Sequence, residues 1–182
     1  MHKEIAIPLA YFITFTCYGT WLDGEKITSV DKRNNTPGTE FKSANPCLAA
    51  YAKKLLIEPP YLLGHAQRQI MLNTIKEVCM NRLWVLLAAH VRTNHVHIVI
   101  HTLSSPINIM NTIKAYASRR LIESSLDGDR AKRWTRHGST RYLWKEEDVE
   151  STIQYVVHEQ GNPMAVFENL DRSNFGKAVI AP

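Results

Sequence analysis

Cysteine is scarce: Cys17, Cys47 and Cys79 are the only three in 182 residues, odd in number and far apart. No two of them have the close spacing of a zinc-binding pair. Neither a disulfide framework nor a cysteine metal site is expected, and free thiols in a reducing cytoplasm are the simplest reading. Long apolar runs are missing too. No stretch approaches the ~20 residues of a membrane-spanning helix. The opening Met1-His2-Lys3-Glu4 leads into an apolar segment interrupted by Thr14, Thr16 and Gly19, which does not read as a secretion signal. A membrane partner is therefore not expected. Internal repeats and a compositional break are also absent, so residues 1–182 read as a single domain, long enough to bury a real core.

Acidic residues are outnumbered, 17 against 22 Lys and Arg, for a formal charge of +5. The imbalance is local. Lys114, Arg119, Arg120, Arg130, Lys132, Arg133, Arg136, Arg141 and Lys145 fall in one stretch, opposed only by Glu123, Asp127 and Asp129. Such a stretch suits a phosphate-rich partner.

Hydropathy patterning supplies the elements. Residues Tyr11 to Tyr18 alternate as a strand, with Phe12, Thr14, Thr16 and Tyr18 on one side and Tyr11, Ile13, Phe15 and Cys17 on the other. From about Thr20 to Pro60 the pattern dissolves into an irregular insertion, with a helical turn near Leu48 to Leu56. Ala66 to Asn81 has helical spacing. Trp84 to Val91 and His95 to Thr102 read as a hairpin around Arg92-Thr93-Asn94. Pro106 to about Ser124 forms a helix capped by Ser105. Ser125 to Thr140 is a polar basic loop, and Arg141 to Trp144 a short final strand. Asp148 to Gln160 is a last helix, stopped by Gly161-Asn162-Pro163, and the tail packs at Ala165 to Phe167. The fold class is α+β: a ferredoxin-like antiparallel sheet with helices on one face, plus a C-terminal helix.

The sharpest motif is His95-Val96-His97. Strand side chains alternate faces, so both imidazoles point one way while Val96, Ile98 and Ile100 point into a core. Same-face neighbours stand roughly 6–7 Å apart, close enough to share a divalent cation. On the last helix Val149, Ile153 and Val156 form one stripe, and Tyr155 falls off it, beside His158 and Glu159. Tyr116, between Lys114 and Arg119, is the competing helical tyrosine. The residues alone leave two other readings open: a nucleic-acid-binding module without catalysis, and a phosphoesterase of the two-motif His-x-Thr/Ser kind. The second is poorly served by His101-Thr102.

Taken together, "RTNHVHIVI", "IKAYASRRL", "RYLW" and "YVVHEQGNP" resemble the HUH-type single-tyrosine transposases, most nearly their REP-associated branch. The early "YFITFTCYGTWLDG" is similar to the first strand of one subgroup, so the likeness runs from about residue 9 to 168. It implies an enzyme that cuts and rejoins single-stranded or hairpin DNA through a covalent 5′-phosphotyrosine. Tyr155 would be the nucleophile, and His95 and His97 ligands of Mg²⁺ or Mn²⁺. The family's third ligand is a polar side chain, commonly glutamine, one turn after the tyrosine. At 100° per residue Glu159 lies about 40° from Tyr155 and Gln160 about 140° away. Glu159 is therefore the expected ligand, and Gln160 the alternative if the helix is distorted. Lys114, Arg119, Arg120, Arg133, Arg136 and Arg141 would bind phosphates, with Trp134 and Tyr142 stacking on bases. The likeness is compatible with a monomer or a homodimer, with a cytoplasmic, nucleoid-associated location, and with a descendant that binds DNA but has lost transposition.

Overall fold

The computed structural model describes residues 7–22, 24 and 44–171. Nine elements follow in order: β1 (Ala10–Thr16), α1 (Pro46–Lys54), α2 (His65–Asn81), β2 (Val85–Val91), β3 (His95–His101), α3 (Pro106–Glu123), β4 (Ser139–Leu143), α4 (Glu146–His158) and β5 (Ala165–Glu168). The strands form one sheet in the order β4-β1-β3-β2-β5, with every pair antiparallel. The first four strands have the ferredoxin-like arrangement, and β5 extends it along the outer edge of β2. Among the described residues no helix is long and apolar enough to cross a membrane.

Alternation divides the sheet into two faces. Tyr11, Ile13, Phe15 and Cys17 of β1 and its extension join Val96, Ile98 and Ile100 of β3 in the main core. Met71, Ile75 and Val78 of α2 and Ile109, Ile113, Ala117 and Leu121 of α3 close over them. On the opposite face α4 lays Val149, Ile153, Val156 and Val157 against Ala10, Leu87, Ala88, Val99 and Leu143. Helices thus cover both faces, two on one and the C-terminal helix on the other.

The boundaries depart from the sequence reading where local signals were weakest. The helix α4 begins at Glu146 because Lys145 is extended and the acidic Glu146, Glu147 and Asp148 suit the positive end of the helix dipole. It stops at His158, two residues earlier than the spacing predicts, and Gly161 then turns the chain at φ 73°. The strand β4 starts two residues earlier than Arg141, and β5 is a strand where only packing was expected. The basic loop is also less free than expected: Trp134 bridges Cys17, Tyr18 N–H donates to Arg133 O and Thr135 N–H to Thr16 O. Within the expected insertion α1 begins at Pro46, where Asn45 Oδ1 accepts from Leu48 N–H at 3.0 Å. The insertion's residues 23 and 25–43 lie outside the described ones.

Candidate active site

The site is a row of side chains across the strands. Ser139, Thr14, His97, His90 and Val166 are successive register partners from β4 to β5, and Thr16 faces His95 one pair further along. All lie on the α4 face, just past the end of that helix. The two imidazole centroids of His95 and His97 are 4.7 Å apart. His97 is buried and His95 half-buried.

Each of these histidines has one ring nitrogen engaged by the chain. Asn94 Oδ1 accepts from His95 Nδ1 at 2.8 Å, and the Thr14 hydroxyl bonds His97 Nδ1 at 2.8 Å. A proton on Nδ1 leaves the Nε2 lone pair free to bind a cation. Burial holds both rings neutral, pushing His97 down to about 3, with His95 adding to the effect, and His95 down to about 4, with Arg92 adding. Half-buried Gln160 opposes the shift at both rings, as a nearby acceptor does. Its Nε2 also donates to Tyr155 O at 3.2 Å.

Glu159 takes no part in this cluster. It is the exposed cap residue of α4, its N–H donating to Tyr155 O. Among the described residues no group of three His, Cys, Asp or Glu is placed to hold a metal ion. The early end of α4 explains the difference. Helical angles cease to apply after His158, where Glu159 caps α4 and Gln160 lies beyond it with its Nε2 bonded back to Tyr155 O. Two neutral imidazoles and one amide oxygen form a donor set that fits a divalent cation with positions left for water or phosphate.

Tyr155 projects from α4 beside the pair. Its ring centroid is 5.9 Å from His97 and 6.1 Å from Phe12, and 41% of the residue is exposed. Tyr116 lies on α3, across the sheet from the histidines, under the Arg119 guanidinium. His90 anchors the helix end: its Nδ1–H donates to Val156 O at 2.8 Å, and its Nε2 accepts from Met164 N–H at 3.3 Å. Those two bonds define a neutral ring, and burial lowers its pKa further.

The expected DNA-binding residues separate into two groups. Lys114, Arg133 and Trp134 are interior. Lys114 Nζ donates to Thr135 O at 2.9 Å and His137 O at 3.1 Å, and burial pulls its pKa down to about 8. Arg133 pairs with Asp127 at 2.7 Å, both side chains almost fully buried. Trp134 packs edge-on against Phe15, and its Nε1–H donates to Ser118 Oγ at 2.9 Å. Arg119, Arg120, Arg136, Arg141 and Tyr142 are exposed. Arg120 is tied to Glu77 at 2.9 Å, and Arg119 sits on the same helix, away from the histidines. Arg141 faces the histidine side, in register with Phe12, and Tyr142 stacks on Trp144 at 6.2 Å.

Sequence reasoning missed Thr14 and Asn94 as partners of the histidines. The alternation of Tyr11 to Tyr18 already put Thr14 on a polar side of the strand, and Asn94 directly precedes His95.

The fold is an antiparallel α+β sheet with His95 and His97 on β3 and Tyr155 on α4, the last helix. A family model for IS200-like transposases matches residues 60–159, more than half of the chain, and the protein belongs to that family. A solved REP-associated tyrosine transposase bound to a REP hairpin aligns with 87% of this chain and 71% of its own, at 11% identity and a TM-score of 0.46. No curated protein matches the chain.

Proposed function

We propose that the protein cleaves and rejoins single-stranded DNA, hairpin DNA included, through a covalent bond to Tyr155, with His95, His97 and Gln160 holding Mg²⁺ or Mn²⁺. The observation that carries this reading is the half-exposed Tyr155 ring, 5.9 Å from His97, at the open side of two neutral imidazoles. Membership of a transposase family supplies the DNA substrate.

A divalent cation bound here would act as a Lewis acid on a non-bridging phosphate oxygen. The chain's own residues do the rest. Asn94 and Thr14 hold the imidazoles with Nε2 outward. Tyr155 Oη attacks phosphorus, the new O–P bond replaces the P–O3′ bond, the phenolic proton leaves to solvent, and solvent returns one to the departing 3′ oxygen. The 5′-phosphate stays on Tyr155, and the departing strand ends in a 3′-hydroxyl. Attack by another 3′-hydroxyl reverses the step and restores the phenol, so rejoining needs no outside energy. His90, by gripping Val156 O, keeps the Tyr155 turn of α4 in place.

The test is incubation with 3′-end-labelled hairpin DNA and Mn²⁺, followed by denaturing electrophoresis. Wild type is expected to carry label through denaturation. Tyr155→Phe is expected to lose the adduct entirely while still binding DNA, and Tyr116→Phe to keep it. An adduct in the Tyr155→Phe protein, or none in wild type, rejects the reading.

A further inference from the structure

Trp21 belongs to no strand or helix, yet it stands at the histidine pair. Its ring centroid is 5.9 Å from that of His95 in an edge-on arrangement, and 54% of the residue is exposed. An edge-on contact occupies at most one face of an indole, so a broad apolar surface remains available beside the site. The backbone of Trp21 is held at φ 59°, in the left-handed region, which a bulky residue adopts only where its surroundings impose it. Those surroundings are well defined. Gly19 turns at φ 71°. Buried Thr20 places its hydroxyl 2.7 Å from Cys17 O and 3.3 Å from Asn94 O. The Asn94 side chain in turn holds His95 Nδ1. One turn therefore ties the Trp21 backbone to the residue that orients His95.

We propose that Trp21 is a base-stacking residue, binding a nucleobase next to the phosphate that the histidine site receives. The inference rests on the function proposed above and adds a subsite to it. A phosphate in single-stranded DNA always has an unpaired base within one nucleotide, and every base offers a π-face to an indole, whatever its sequence. A paired duplex keeps its bases stacked on one another and offers none. The strained turn then has a purpose that packing does not supply: it keeps an aromatic surface in water where a base arrives.

The test compares metal-free binding of a labelled oligothymidylate with that of an abasic sugar–phosphate strand of equal length. Both strands carry the same charge, so the ratio of their affinities reads base contacts alone. Trp21→Ala is expected to weaken oligothymidylate binding by about 10- to 100-fold and to narrow the ratio correspondingly. It should leave abasic binding and the melting temperature nearly unchanged, and Trp21→Phe should retain most of the preference. An unchanged ratio in Trp21→Ala overturns the inference, as does equal weakening for both strands. Wild type that binds neither strand overturns it too. The adduct on Tyr155 is scored separately: adduct formation with an unchanged ratio rejects the stacking role alone, and a ratio that falls without any adduct rejects the chemistry alone.

Discussion

The two faces of the sheet treat polar side chains in opposite ways. On the α2–α3 face two charged groups, Lys114 and Arg133, are turned inside the protein. Lys114 gives its protons to two carbonyls, and Arg133 closes on Asp127, which also accepts from the Tyr61 hydroxyl at 2.8 Å. On the α4 face the helix covers Leu87, Val99 and Leu143 and then ends. Beside its last turn His95 and His97 spend one nitrogen each on Asn94 and Thr14. Basicity alone does not mark a binding surface; what matters is whether the chain has already satisfied the donor. Several of the most basic-looking residues are structural, and the proposed ligand site falls on the neutral imidazoles instead.

The largest effect should come from breaking the closed face. Asp127→Ala leaves the buried Arg133 guanidinium without its counter-ion. A loss of about 3–5 kcal/mol in urea unfolding is expected, with DNA binding by the folded protein unaltered. A loss below ~1 kcal/mol would mean that Arg133 finds water, and the contrast between the faces would weaken.

A smaller effect sharpens the open face. Gln160→Ala should weaken Mn²⁺ binding about tenfold, ~1.4 kcal/mol, by calorimetric titration, and Glu159→Ala should leave it within error. Equal losses in the two variants would restore Glu159 as a ligand.

The smallest effect is the pH dependence of metal-free stability. Burial holds His97 near 3 and His95 near 4, below the ordinary 6.5. As pH falls below about 6.5 the unfolded chain takes up protons that the folded protein refuses, so stability declines through that window and is level above it. Thermal melts of His97→Gln should show a shallower decline than wild type. Parallel curves would mean that His97 titrates freely in the fold.

The sheet was legible in the sequence because alternation is imposed by two-sided burial. Thr14 and Ile13 in β1, and His97 and Ile98 in β3, fall on the faces that the period-two pattern predicts. The Tyr155 position off the Val149–Ile153–Val156 stripe was legible for the same kind of reason. The burial of Lys114, Arg133 and Trp134 was not. Their partners, the Thr135 carbonyl, Asp127 and Ser118, lie across turns or on the helix they lean against, and local hydropathy carries no trace of such contacts. Gln160 ranked second to Glu159 in the sequence because an ideal helix was extended past His158, where α4 ends. The strand β5 has four residues, too few for a period to declare itself, and it forms because the outer edge of β2 is there to pair with.

The pairing of β3 with β1 has a further consequence. Val96, Ile98 and Ile100 lie in the main core, and His95 and His97 occupy the alternate positions of the same strand. A slip of one residue would turn every side chain to the opposite face, sinking imidazoles into the interior and floating valine and isoleucine into water. The chain therefore proofreads the histidine pair as it folds: any molecule that has assembled its core has also chosen the side on which the histidines stand.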